Sequence, residues 1–198
     1  MKFKVIAHRI NTTANLKSIP YDFGVEIDVR DYNNELILAH DPWCEGETLE
    51  DYLIEYNHAV LIVNVKCEGI EDRIISVLNK FGISEYFLLD CSMPAIVKLV
   101  NQGFSKLAVR LSEFESIEIA LKFRGLVDWV WVDCFTGPAL QESDLMKLKG
   151  MNICIVSPDL HGRIDDINHH VNYYSSMEKE QIIWVCTKLI NIKKWVMS

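Results

Sequence analysis

Glu26 and Asp28 stand two residues apart in an apolar run, Gly24-Val25-Glu26-Ile27-Asp28-Val29. Strand side chains alternate faces with a period of two, so both carboxylates point one way and Val25, Ile27 and Val29 point the other. An acidic pair on a buried strand repels itself unless a cation or strong donors compensate, and this spacing suggests a metal-binding wall. A polar turn and a second extended run follow, ending in His40-Asp41, which adds a group that trades protons near neutral pH. His8-Arg9 closes an earlier strand-like run, Val5-Ile6-Ala7. Asn64 and Lys66 are again two apart and share a face.

The elements that must position these groups alternate along the chain. Eight mostly continuous apolar runs read as strands with both faces buried: 3–9, 25–30, 59–66, 86–90, 107–111, 128–134, 152–157 and 182–187. Helical segments lie between them, at 48–56, 69–81, 92–101, 115–123, 141–149, 165–180 and 189–196. The connection at 11–23 is short and holds one proline. This alternation implies α/β architecture, a compact parallel (β/α)8 barrel forming one domain over residues 1–198, with a doubly wound open sheet as the alternative. Barrels usually take about 250 residues, so the loops here must be trimmed. Barrel chemistry collects at the C-terminal ends of strands. Those ends also carry Asp90, Arg110 with Glu113 beyond it, Asp133, Ser157 to Asp159, and Thr187-Lys188.

A net charge of −8 and a pI near 5.2 argue against broad electrostatic binding to nucleic acid or anionic membranes, while leaving room for a local phosphate pocket. No apolar run approaches the roughly 20 residues that span a bilayer, and no secretory signal pattern opens the chain. The six cysteines form no C-x-x-C pair and read as reduced core or rim residues of a cytoplasmic protein. His58 and the pair His169-His170 read as surface residues. Trp43, beside His40-Asp41-Pro42, reads as a substrate-stacking group or an exposed loop anchor.

The set His8-Arg9, Asn11-Thr12, Glu26-Ile27-Asp28-Val29, His40-Asp41 and Asn64-Val65-Lys66 resembles the glycerophosphodiester phosphodiesterases and the wider phospholipase-C-like phosphodiesterase group. Those proteins are (β/α)8 barrels with His-Arg ending strand one, Glu-x-Asp on strand two, His-Asp after a hairpin and acid-x-Lys on strand three. The match is concentrated in the first third of the chain. Three departures stand out. Ile10 replaces the glycine after His-Arg, only residues 42–58 separate His-Asp from the third strand in place of the family's insertion, and Asn64 replaces an acid.

The resemblance implies a divalent cation, Mg²⁺ or Ca²⁺, on Glu26, Asp28 and Asn64, whose oxygens suit hard ions. It implies His8 and His40 as general acid and base, and Arg9 and Lys66 as ligands of the phosphate oxygens. Asn64 offers a carbonyl oxygen without charge, and Asp90 on the next strand is a candidate to compensate. The expected activity is cleavage of a small glycerophosphodiester-like substrate, through a cyclic phosphate or by water. Two other readings remain: a barrel that binds phosphodiesters without turnover, and an isomerase or aldolase for sugar phosphates. A structural alternative pairs Glu26 and Asp28 with Arg9, Lys66 and Arg110 in an ion network.

Overall fold

The computed structural model describes residues 3–177 and 182–196. The chain divides into two compact units. One is Ala7–Gly103; the other is Phe104–Ser198 together with the residues up to Ile6.

In the unit Ala7–Gly103 the backbone is β2 (Gly24–Tyr32), β3 (Glu35–Leu38), β4 (Leu61–Val65) and β5 (Tyr86–Leu89). Strands β2, β4 and β5 run parallel in the order β5-β4-β2, with Asp28 level with Asn64. Strand β3 is a hairpin partner, antiparallel to β2, so the run ending in His40-Asp41 is an added ninth strand outside the eight expected. The hairpin turn is Asn33-Asn34, both at positive φ (51° and 65°), a conformation asparagine tolerates and two-residue hairpins need. Val25, Ile27, Leu61, Ile62 and Val63 are fully buried, which explains why these strands read as continuous apolar runs.

The helices of this unit begin where the sequence offers caps. The Thr48 hydroxyl accepts the Asp51 N–H at the start of α2 (Leu49–Glu55), and Ser92 accepts from Ala95 at the start of α4 (Met93–Asn101). Helix α3 (Glu71–Lys80) buries Ile74 and Leu78 on one stripe. In the connection at 11–23 only one turn of helix forms, α1 (Thr13–Leu16), capped by Thr12.

The other unit holds β1 (Lys4–Ala7), β6 (Ala108–Leu111), β7 (Trp129–Val132), β8 (Asn152–Val156) and β9 (Ile183–Thr187) in the order β1-β9-β8-β7-β6. Its helices are α5 (Ile117–Lys122), α6 (Glu142–Lys147), α7 (Ile167–Ser176) and α8 (Ile192–Val196). Trp195 is fully buried; its indole N–H donates to Ser157 Oγ at 3.0 Å and its ring meets Phe3 edge-on. Asp159 is buried as well, accepting from Thr187 Oγ1, the Lys188 N–H and Asn191 Nδ2 at 2.8–3.2 Å. His170 lies inside, fully buried against Tyr174, contrary to the surface position expected from its polar neighbours. Burial, then the nearby Arg163 charge, push its pKa down to about 4. The expected helix at 165–180 is α7; residues 178–180 fall outside the described residues.

Eight parallel strands with alternating helices place the chain in the (β/α)8 barrel class, and the open-sheet alternative falls away. No helix among the described residues is long and apolar enough to cross a membrane.

Candidate active site

All seven residues singled out from the sequence lie in the unit Ala7–Gly103. Alternation along β2 puts Glu26 and Asp28 on one face, and each is 1% exposed. Glu26 Oε2 accepts the Arg9 backbone N–H at 2.7 Å and lies 3.8 Å from His8 Nε2. Glu26 Oε1 accepts from Asn64 Nδ2 at 3.1 Å. Arg9 reaches this geometry through a left-handed backbone (φ 58°), unusual for a side-chain-bearing residue and held by its N–H bond to Glu26.

Asp28 is tied more tightly to cations. Lys66 Nζ lies 3.1 Å from Oδ1 and Arg9 Nε 3.6 Å from Oδ2. Asn11 clamps the same residue from both sides: its Nδ2 donates to Asp28 Oδ2 and its Oδ1 accepts the Asp28 N–H, each at 2.9 Å. Lys66 Nζ is also 4.0 Å from Asp90 Oδ2, and Asp90 too has a left-handed backbone (φ 62°). Part of the ion network that the structural alternative anticipates is therefore present, through Arg9 and Lys66.

Burial first, and the neighbouring Asp28 charge second, raise the Glu26 pKa to about 7 against the donors that stabilise its anion. The carboxyl is then poised between its two protonation states at neutral pH.

His40 is held through its backbone. Arg30 donates Nε and Nη2 to the His40 carbonyl (3.0 and 2.8 Å) and Nη1 to the Lys66 carbonyl (3.1 Å). The Ala39 N–H bonds the Asp28 carbonyl. The imidazole pairs with its neighbour: Nδ1 lies 2.8 Å from Asp41 Oδ1, and the hydrogen bond to His40 lowers the Asp41 pKa. His8, Arg9, Glu26, Asp28, Asn64 and Lys66 are thus joined by direct contacts, while His40 joins them through the backbone frame. Trp43 extends from the same segment, 91% exposed and at φ 64°.

Arg30 and Asn11 also hold this cluster together, and reading by motif leaves both without a part in it. The signal for Arg30 was its place two residues beyond Asp28, on the face of Glu26 and Asp28. Asn11 stood in the quoted Asn-Thr pair, but its clamp on Asp28 follows from tertiary geometry alone.

Whether the site suits a divalent cation turns on its donor set. Among the described residues no three His, Cys, Asp or Glu side chains converge as a metal site. The set is two buried carboxylates and one amide, all oxygen donors, which favours hard ions. Asn64 Oδ1 is buried and lacks a hydrogen-bond partner, so one acceptor in this cluster is left for a cation or a hydrogen-bond donor. The residue types suit a hard divalent ion, with one charge fewer than three carboxylates would supply, provided the Asn64 amide turns its Oδ1 toward Glu26 in place of the Nδ2 that now donates there.

The fold supplies the comparison. A glycerophosphodiester phosphodiesterase from Agrobacterium tumefaciens superimposes with a TM-score of 0.62 at 13% identity, covering 94% of this chain and 97% of that one. The chain shares the fold of glycerophosphodiester phosphodiesterases. A glycerophosphoryl diester phosphodiesterase from Parabacteroides distasonis gives 0.68 at 12% identity, over 99% of this chain and 86% of that one. A glycerol uptake operon antiterminator-related protein from Thermotoga maritima gives 0.55 at 16%, over 96% of both chains. That third likeness shows that the fold alone does not select an activity. No family model and no curated protein matches the sequence.

Proposed function

We propose that this chain is a phosphodiesterase for a small glycerophosphodiester-like substrate, with its chemistry at the C-terminal ends of the early strands. The observation that carries the reading is the contact set itself. An imidazole, a guanidinium, an ammonium and two buried carboxylates meet around β2, in the order and spacing that resemble the phosphodiesterases.

Arg9 and Lys66 bring two positive charges to Asp28, and a phosphodiester oxygen bound there gains charge-assisted hydrogen bonds from both. Asp41 accepts from His40 Nδ1, so Nε2 is the nitrogen left to take a proton from the attacking hydroxyl. His8, on the Glu26 side, returns a proton to the leaving oxygen. Arg30 keeps the His40 and Lys66 backbones in register. Glu26, Asp28 and Asn64 would hold Mg²⁺ or Ca²⁺, which when bound supplies Lewis-acid polarisation of the phosphoryl group.

The second reading is a barrel that binds phosphodiesters without turning them over, favoured by one observation: the amide of Asn64 stands where a third charge would strengthen cation binding. Titration of Mg²⁺, Ca²⁺ and Mn²⁺ against a chromogenic phosphodiester separates the two. Saturable, cation-dependent release of product supports the enzyme; binding of the diester without release in every ion supports the binding barrel.

A further inference from the structure

The imidazole of His170 is fully buried on α7, and neither ring nitrogen has a hydrogen-bond partner among the described residues. A buried polar group ordinarily finds one, so hydrogen bonding does not account for a histidine at this place. What surrounds the ring is a tie between α7 and the loop that follows β7, all within the unit that holds Phe104–Ser198.

Arg163, just before α7, makes that tie. It donates to the carbonyls of Cys134 and Thr136, and its Nη1 also bonds Asp166 Oδ2 at 2.7 Å. Asp166 stands four residues before His170, the spacing at which helical side chains face one another. The His169 ring is 6.0 Å from the His170 ring. On the other side Tyr174 is also at 6.0 Å, and its hydroxyl lies 3.4 Å from Cys134 Sγ, under the same loop. Glu113 acts on His170 from the segment after β6 and holds the loop independently, accepting the N–H groups of Phe135, Thr136 and Gly137 at 2.7–3.1 Å.

Adding a proton re-sorts these partners. A neutral imidazole leaves Asp166 to Arg163. An imidazolium competes for the Asp166 carboxylate and repels the guanidinium. Burial first, then Arg163 and His169, oppose that charge; Asp166 and Glu113 favour it. A buried cation without a committed partner is costly, and parting α7 from the loop admits water to it. Glu113 does not let go at the same point, because its carboxyl holds its charge down to about pH 2. We propose that His170 is the trigger of an acid-operated latch: its protonation draws Asp166 off Arg163 and frees the segment 134–140 from α7, while Glu113 keeps the other side of that segment anchored. The latch lies within this unit and is independent of the phosphodiesterase reading.

Amide hydrogen exchange of the full chain at pH 7, 5.5 and 4, corrected for intrinsic exchange, tests it. A pKa of about 4 in the closed state, against 6.5 for a solvated imidazole, raises the opening equilibrium about 100-fold between pH 7 and pH 4. Residues 134–140 and 167–176 should lose protection by about that factor, while the amides of β8 keep theirs. His170→Phe keeps a ring that cannot titrate and should abolish the loss. An equal loss in His170→Phe, or none in wild type, overturns the latch. Should the variant fail to fold, the His170 imidazole C–H resonances of the wild type decide: a midpoint near pH 4 that coincides with the loss of loop protection supports the proposal, and a midpoint near 6.5 overturns it.

Discussion

Replacing Glu26 with glutamine should make the fold more stable while stopping the proposed reaction. The acid is buried among Asp28, Asn64 and the Arg9 N–H, and its pKa rises from 4.5 to about 7. A raised acid pKa means that the folded chain keeps a proton the unfolded chain gives up. Stability is then unaffected below about pH 4.5, falls as pH rises to about 7, and stays lower beyond, by about 3 kcal/mol for a shift of this size. Glutamine removes that penalty at the cost of one rearranged hydrogen bond. Its carbonyl can accept the Arg9 N–H; its amide then faces Asn64, whose own amide must turn over so that Oδ1 accepts where Nδ2 now donates to Glu26. Urea unfolding of wild type and Glu26→Gln at pH 4.5 and pH 8.5 measures the difference. The variant should gain up to about 3 kcal/mol at pH 8.5 and little at pH 4.5, with a Tm roughly 5–10 °C higher at the alkaline end. A variant equally stable or less stable at pH 8.5 would show that the ionised carboxylate costs the fold nothing, and the account of this cluster would fail with it.

Other perturbations separate positioning from chemistry and from plain support. Arg30→Met removes three hydrogen bonds to the His40 and Lys66 carbonyls; kcat should fall about 10–100-fold with secondary structure intact, and unchanged turnover would remove Arg30 from the frame. Asp159→Ala strands the donors of Thr187 and Asn191 in a buried place, frees the part-buried Lys188 N–H, and should cost about 3–5 kcal/mol in urea unfolding, whereas a loss below about 1 kcal/mol would refute that support. Partial burial works to raise the Glu113 carboxyl, but the N–H groups of Thr136, Gly137 and Phe135 outweigh it and hold the pKa at about 2. The stabilisation is therefore complete above about pH 4.5 and lost as pH falls toward 2. Glu113→Gln should flatten that part of the acid-unfolding curve.

The strands were legible because β2, β4, β5 and β7 are buried on both faces, and that burial writes continuous apolar runs into the sequence. The shared face of Glu26 and Asp28 was legible from strand alternation, with both side chains buried on β2. What stayed hidden depends on tertiary contacts with no period. The Asn11 clamp joins residues 17 apart, and Arg30 finds two carbonyls at the ends of other segments. The connection at 11–23 lacks a helical stripe and yields only the single turn of α1. His170 read as solvated because Asp165, Asp166 and His169 surround it in sequence, yet helical rotation turns it inward beside Val171 and Tyr174.

The central claim, that His8 and His40 transfer protons during cleavage of a phosphodiester, is met most directly by turnover of glycerophosphodiesters with Mg²⁺ or Ca²⁺ supplied. Wild type should release product, and His8→Ala and His40→Ala should each be slower by about 10²–10⁴-fold with unchanged folding. Full activity in either variant would contradict the account.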